Sequence, residues 1–227
     1  MYKLFTLIFI SIISLSVQAQ DFKGRRVVGL DLNLSQNDTK GGTGFFSSGF
    51  VAPQKGNQLS ISPNLSYFVS NRWLLGGSLD FQQSRFTVYP DNPGSQQTNN
   101  VRSIGGSIFA AYHHWFSNKV AFFMRPSLGY SRANFEHESQ NVHQKGNTNS
   151  FFMDASLGLT VIIRKRFGID FSTPLSRLEY SQTSSTSEFT NGDPTQSFDN
   201  REWSYRFLGG NVLSILSNVS IGLKYFF

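Results

Sequence analysis

No cysteine occurs among the 227 residues, so no disulfide supports the fold, and none is needed if strands close on themselves. Nowhere do 18 consecutive apolar residues occur, which excludes a membrane-spanning helix. Charged residues make up only 15% of the chain, and helix-forming Ala, Glu and Lys are scarce. Present instead are 23 Phe, 8 Tyr and 20 Gly among many Ser and Asn, the composition of β-structure with wet loops. The mean hydropathy of -0.24 suits strands whose two faces average out to neutral.

The first residues read as an export signal. Met1-Tyr2-Lys3 is basic, 4–15 is an apolar run shorter than the ~20 residues of a spanning helix, and Val17-Gln18-Ala19 fits the small-residue cleavage rule. Residues 1–19 are expected to be removed after Ala19, leaving 20–227 as one domain. With no Cys after the cleavage site, a lipoprotein anchor is not expected.

Polar turns at Ser70-Asn71-Arg72, Ser117-Asn118-Lys119 and Arg164-Lys165-Arg166 are centred 47 residues apart, and the first strand begins the same distance upstream, near Gly24. Each unit reads as strand, long polar loop, strand, short turn. The fourth unit is longer, and its surplus is expected in the outer loop, where insertions collect. Eight strands are expected at about 24–36, 57–69, 72–89, 101–116, 119–134, 150–163, 167–182 and 203–227, the last interrupted in 208–217. The loops 37–56, 90–100, 135–149 and 183–202 are long, whereas the turns between them are short.

The strands alternate with period two. Phe151, Met153, Ala155, Leu157, Leu159, Val161 and Ile163 occupy one face of the sixth, with Asp154, Ser156, Gly158 and Thr160 on the other. The apolar faces carry no charge. Opposite lie Gly, Ser, Asn and Thr with single charges at Asp31, Asp80, Arg125, Asp154, Asp170 and Lys224, too small a polar face for the outside of a soluble sandwich but suited to a narrow lumen. These six are expected to form a closed charge network, since unpaired charges there would be costly. Pro63, Pro126 and Pro174 within strands each forfeit a ladder hydrogen bond. Tyr67, Trp73, Tyr112, Trp115, Phe116, Tyr130 and Tyr225 are expected in two interfacial girdles.

The chain closes on Val219, Ile221, Leu223, Tyr225 and Phe227, one wholly apolar strand face that lipid could cover. With these residues the mature chain resembles the small outer-membrane β-barrel proteins, the OmpA/OmpX-type group and the porin-like "outer membrane protein β-barrel domain" family. The resemblance implies an all-β, eight-stranded antiparallel up-and-down barrel in the outer membrane of a diderm bacterium. It also implies that the terminal strand is the signal read by the barrel-assembly machinery. A peptidoglycan-binding extension is not expected after Phe227.

Catalytic motifs are weak. Adjacent His113 and His114 point to opposite faces near the turn end, about 30 Å from His137 and His143 at ~3.3 Å per residue, so the two pairs cannot share a metal. His137-Glu138-Ser139 is similar to the His-x-Ser element of outer-membrane lipid A deacylases, but three-residue matches are common by chance. No serine-hydrolase elbow, phosphate loop or zinc-protease helix occurs, and no metal, cofactor or enzymatic activity is expected. The charge of +6 is scattered, which argues against nucleic acid. Arg25, Arg26, Arg72, Lys119, Arg164, Lys165 and Arg166 are placed at the periplasmic rim, near phospholipid headgroups. Lys40, Lys55, Arg85, Arg132, Lys145 and Arg201 are placed to meet lipopolysaccharide phosphates or to stand as solvated loop charges. The expectation is a monomeric, non-enzymatic outer-membrane protein acting structurally or through its surface loops. The alternatives are a narrow channel for small solutes or ions and a lipid-modifying enzyme.

Overall fold

The computed structural model describes residues 22–39, 42–43, 50–51, 54–88, 97–139, 142–189, 195–207 and 219–227. The expected export signal, Lys40 and the stretch 208–217 lie outside the described residues. In chain order the strands are β1 (Arg26–Thr39), β2 (Gly42–Thr43), β3 (Phe50–Val51), β4 (Gln54–Phe68), β5 (Trp73–Val88), β6 (Gln97–Trp115), β7 (Val120–Glu138), β8 (Val142–Arg164), β9 (Phe167–Phe189), β10 (Gln196–Phe207) and β11 (Ser220–Phe226). Every pairing is antiparallel. β1, β4, β5, β6, β7, β8 and β9 follow one another around a sheet that β11 closes by pairing with both β9 and β1. The short β2 and β3 pair only with each other.

The eighth wall position is shared. β9 holds β11 at one end, Ser172 opposite Ser220, and β10 at the other, Ser176 opposite Phe207. The described wall thus passes from β11 to β10 between Ser172 and Ser176 of β9. This corrects one expectation: β10 begins at Gln196, before position 203. Among the described residues, 33–39 of β1 pair only with β4, and β10 pairs only with β9.

Alternation decides the two sides of the wall. Leu65, Ile108, Leu128 and Phe151 are each more than half exposed on the outside. A band of this kind, on the outside of an all-β wall, is a lipid-facing surface. The prolines break the ladder as their missing N–H requires. Pairing lapses beside Pro63 between β4 and β5 and beside Pro126 between β6 and β7, without a register shift. At Pro174 the β8–β9 register shifts.

The turns repeat in geometry as well as in sequence. The Ser70 hydroxyl accepts from the amides of Arg72 and Trp73, and the Ser117 hydroxyl accepts from those of Lys119 and Val120. Beyond the lipid band, however, the strands run further than expected. β8 and β9 have 23 residues each, about twice the ~9–11 that span a bilayer. The expected loops 135–149 and 183–202 are in large part paired strand. Their ladders persist through Ser, Thr and Asn, as at Thr148 and Thr183, whose hydroxyls meet at 2.9 Å. Both faces are polar there, so the alternation that marks a strand is missing.

Candidate functional site

The candidate site is the lumen, which divides into three levels from the turn end upward. At the turn end the inward positions are apolar. Val27, Phe68, Leu74, Ala111, Ala121, Phe123, Ile162 and Phe226 are buried, and Phe22 enters from the chain segment before β1. Gly24, at φ 84, turns that segment inward. Asn71 fixes it by accepting from the amides of Phe22 and Lys23 through its side-chain oxygen at 3.0 and 2.9 Å. The Phe22 ring stacks on Trp115 at 4.4 Å and 6°, and Trp115 Nε1 donates to the Asn71 carbonyl at 2.9 Å. Trp115 therefore belongs to this plug and not to the girdle expected of it, because it shares inward parity with Ala111 and His113.

Inward glycines make room for the plug. A Cβ on Gly76 would stand 2.6 Å from Phe109 Cζ, and one on Gly158 2.5 Å from Phe123 Cζ. His113, 1% exposed, sits among Phe68, Trp115 and Phe123. Neither of its ring nitrogens has a hydrogen-bond partner among the described residues. The expectation of a uniformly polar lumen is thus corrected at this end: a bundle of rings fills it.

Above the plug come two ion pairs. Lys224 meets Asp170, which also accepts from the Thr160 hydroxyl at 2.8 Å; the lysine and aspartate side chains are 6% and 2% exposed. One level higher Arg125 Nη1 lies 3.2 Å from Asp31, with side chains 21% and 15% exposed. The Arg125 Nε donates to Ser156 at 3.3 Å, and the Asn64 amide donates to Asp31 at 3.4 Å. The guanidinium rests 5.4 Å from the Phe109 ring centroid. Four of the six expected lumen charges thus form two pairs.

The other two stand in an open vestibule of about 350 Å³ lined largely by serines. Asp80 accepts from the Ser78 hydroxyl at 3.2 Å, and Ser127 donates to Asp154. Among the described residues neither carboxylate has an ion-pair partner. Sequence reasoning missed Arg177 and Glu179, which pair at 3.0 Å on the vestibule wall, the guanidinium 4.1 Å from the Phe152 centroid. Strict alternation from Asp170 puts both outside; the register shift at Pro174 turns them in, and that proline was the available signal.

The remaining expectations fall as follows. Tyr67, Trp73 and Tyr130 are exposed on the outer wall. At the turn end Arg72 and Arg166 donate to the hydroxyls of Tyr112 and Tyr225 at 3.5 and 3.3 Å. Ile221, Leu223, Tyr225 and Phe227 lie on the lipid face, with Phe227 N bonded to the Arg26 carbonyl at 2.9 Å. His137 meets Asn99, the Ser139 hydroxyl donates to the Val142 carbonyl, and His143 lies 3.3 Å from Glu136.

Among solved structures the chain is similar to the outer membrane protein OprG from Pseudomonas aeruginosa, at 12% identity and a TM-score of 0.51 over 93% of this chain and 99% of that one. The fold is that of an outer-membrane β-barrel. Lower similarity links it to the translocator domain of the autotransporter NalP from Neisseria meningitidis, at 10% identity and a TM-score of 0.47 over 100% and 96% of the two chains. A major outer membrane protein from Thermus thermophilus shares 12% identity at a TM-score of 0.43, over 89% and 99%. No family model and no curated protein matches the sequence.

Proposed function

We propose that the chain is an integral outer-membrane protein without enzymatic activity, which works at the cell surface and does not conduct solute. In this reading the short turns face the periplasm and the long hairpins face outward. The signal 1–19 directs export, and the apolar strand ending at Phe227 is read by the assembly machinery. The observation that carries the proposal is the aromatic plug: the vestibule is open above, but Phe22, Trp115, Phe68 and Phe123 fill the lumen beneath it. Eight-stranded lumens are in general filled by side chains. The hydrogen bonds of Ser139 and His137 to Val142 and Asn99 lend a nucleophilic serine no support.

Planar-bilayer recording of the reconstituted full chain tests the reading. No steady conductance is expected. Stable channels whose ion selectivity shifts in Asp154→Asn would overturn it in favour of a narrow pore.

A further inference from the structure

The outward faces just beyond the lipid band carry an arrangement that the lumen does not explain. On β4, β5, β6 and β7 the last exposed apolar residues are Leu59, Phe81, Ile104 and Tyr130. Within the next four residues along these strands come Lys55, Arg85, Arg102 and Arg132, all exposed. The register sets them diagonally across adjacent strands: Arg85 is opposite Asn100, Arg102 opposite Gln83, and Arg132 opposite Ile104. The four cross three interstrand steps of ~4.8 Å and move two residues along the strand at each, so the row runs roughly 20–25 Å.

The neighbours of the three arginines are amides, whereas Lys55 has Asp38 opposite it on β1 and Thr87 on β5. Arg85 lies between Asn57 and Asn100, Arg102 between Gln83 and Asn134, and Arg132 has Asn149 on its β8 side. Among the described residues none of the three arginines forms an ion pair. The nearest outward carboxylate on these strands, Glu136, is engaged further out by Lys145 at 3.3 Å. A soluble surface intersperses charges of both signs. Here diagonal cations some 7–8 Å apart repel one another, and among the described residues no carboxylate stands opposite any of the three arginines.

We propose that this row is a binding site for the phosphorylated disaccharide of lipid A in the outer leaflet. Guanidinium forks take phosphate oxygens in paired hydrogen bonds, the amides between them donate to the same oxygens, and the acyl chains lie along Leu59, Phe81, Ile104 and Tyr130 below. The site rests on the outward orientation of the hairpins proposed above. Of the cations expected to meet lipopolysaccharide, it keeps Lys55, Arg85 and Arg132, adds Arg102, and sets Lys145 aside as paired with Glu136.

The test is native mass spectrometry of the delipidated full chain in detergent, titrated with diphosphorylated lipid A, dephosphorylated lipid A and phosphatidylglycerol. The combined variant Arg85→Gln, Arg102→Gln and Arg132→Gln should lose diphosphorylated lipid A by about tenfold or more. The control Arg164→Gln, Lys165→Gln and Arg166→Gln at the turn end should bind as the parent does, and heat-modifiable gel migration checks that both variants are folded. Equal retention of lipid A by the two variants, or equal binding of dephosphorylated lipid A or of phosphatidylglycerol by the parent, would overturn the site. Maleimide labelling of Asn147→Cys in intact cells reads the orientation separately. A barrel that selects lipid A but stays unlabelled sinks the surface reading, and one that is labelled but indifferent to lipid A sinks the site.

Discussion

The two ends of the lumen are built from the same inward-facing positions and solve opposite problems. At the turn end Phe22, Phe68, Phe123 and Phe226 exclude water and make a core of rings. At the other end serines surround about 350 Å³ of open space, with Asp80 and Asp154 held by hydroxyls. Between them the two ion pairs mark the boundary: Lys224 and Asp170 are dry, whereas Arg125 and Asp31 are partly wet. Burial of apolar side chains stabilises the closed end, while the open end is left with a polar surface for contacts.

The largest contrast is expected at that boundary. Lys224→Met leaves Asp170 buried without its cation and should cost about 3–5 kcal/mol in urea unfolding from lipid vesicles. Arg125→Met, one level higher, should cost less because water can reach Asp31. Equal losses would mean that both pairs sit in the same medium and that no boundary lies between them.

Next comes the lipid face. Leu157→Arg, outward in mid-strand, should destabilise by about 2–4 kcal/mol. Ser156→Arg points the same charge beside Arg125 and costs through crowding and like charge instead. Spin labels separate the two positions: oxygen accessibility should be high at 157 and low at 156. The reverse would turn the wall inside out.

How far such contrasts were legible in the sequence depends on the two faces of each strand differing. Residues 153–161 combine an apolar outside with an inside of Asp154, Ser156, Gly158 and Thr160, and both the strand and its sidedness could be read. In 142–149 and 183–189 both faces are polar, so the sequence reads as loop although the ladder continues. At Phe68, Leu74, Ala111 and Phe123 both faces are apolar, and the plug hid in what looked like strand ends. Beyond Pro174 a register shift exchanged the faces, which put Arg177 and Glu179 out of reach of simple alternation. The lipid A row was missed in part for another reason: Arg102 is unremarked in one dimension and acquires meaning only beside Arg85 and Arg132 on neighbouring strands.

The plug can be loosened without touching the strands. Phe22 stands on the short segment before β1, so Phe22→Ala should cost about 2 kcal/mol, below the ~3–5 of an internal Phe→Ala change. It should also convert a silent barrel into one with brief, small openings in bilayer recordings. Stable closure in the combined variant Phe22→Ala and Trp115→Ala would show that the remaining rings suffice and that Phe22 is not the gatekeeping residue.

The smallest energetic effect is expected in the vestibule. Ser103 faces open space and is not a hydrogen-bond partner of the charge pairs, so Ser103→Ala should shift stability by no more than about 0.5 kcal/mol. The position is informative through access instead. Ser103→Cys should react quickly with a charged methanethiosulfonate reagent added from the hairpin side, while Ala111→Cys, eight residues further along the same inward face and 2% exposed, should stay unmodified. Reaction of both would mean that water passes the rings, and the closed end would have to be redrawn as a second vestibule; protection of both would mean that the upper cavity is covered in the folded protein.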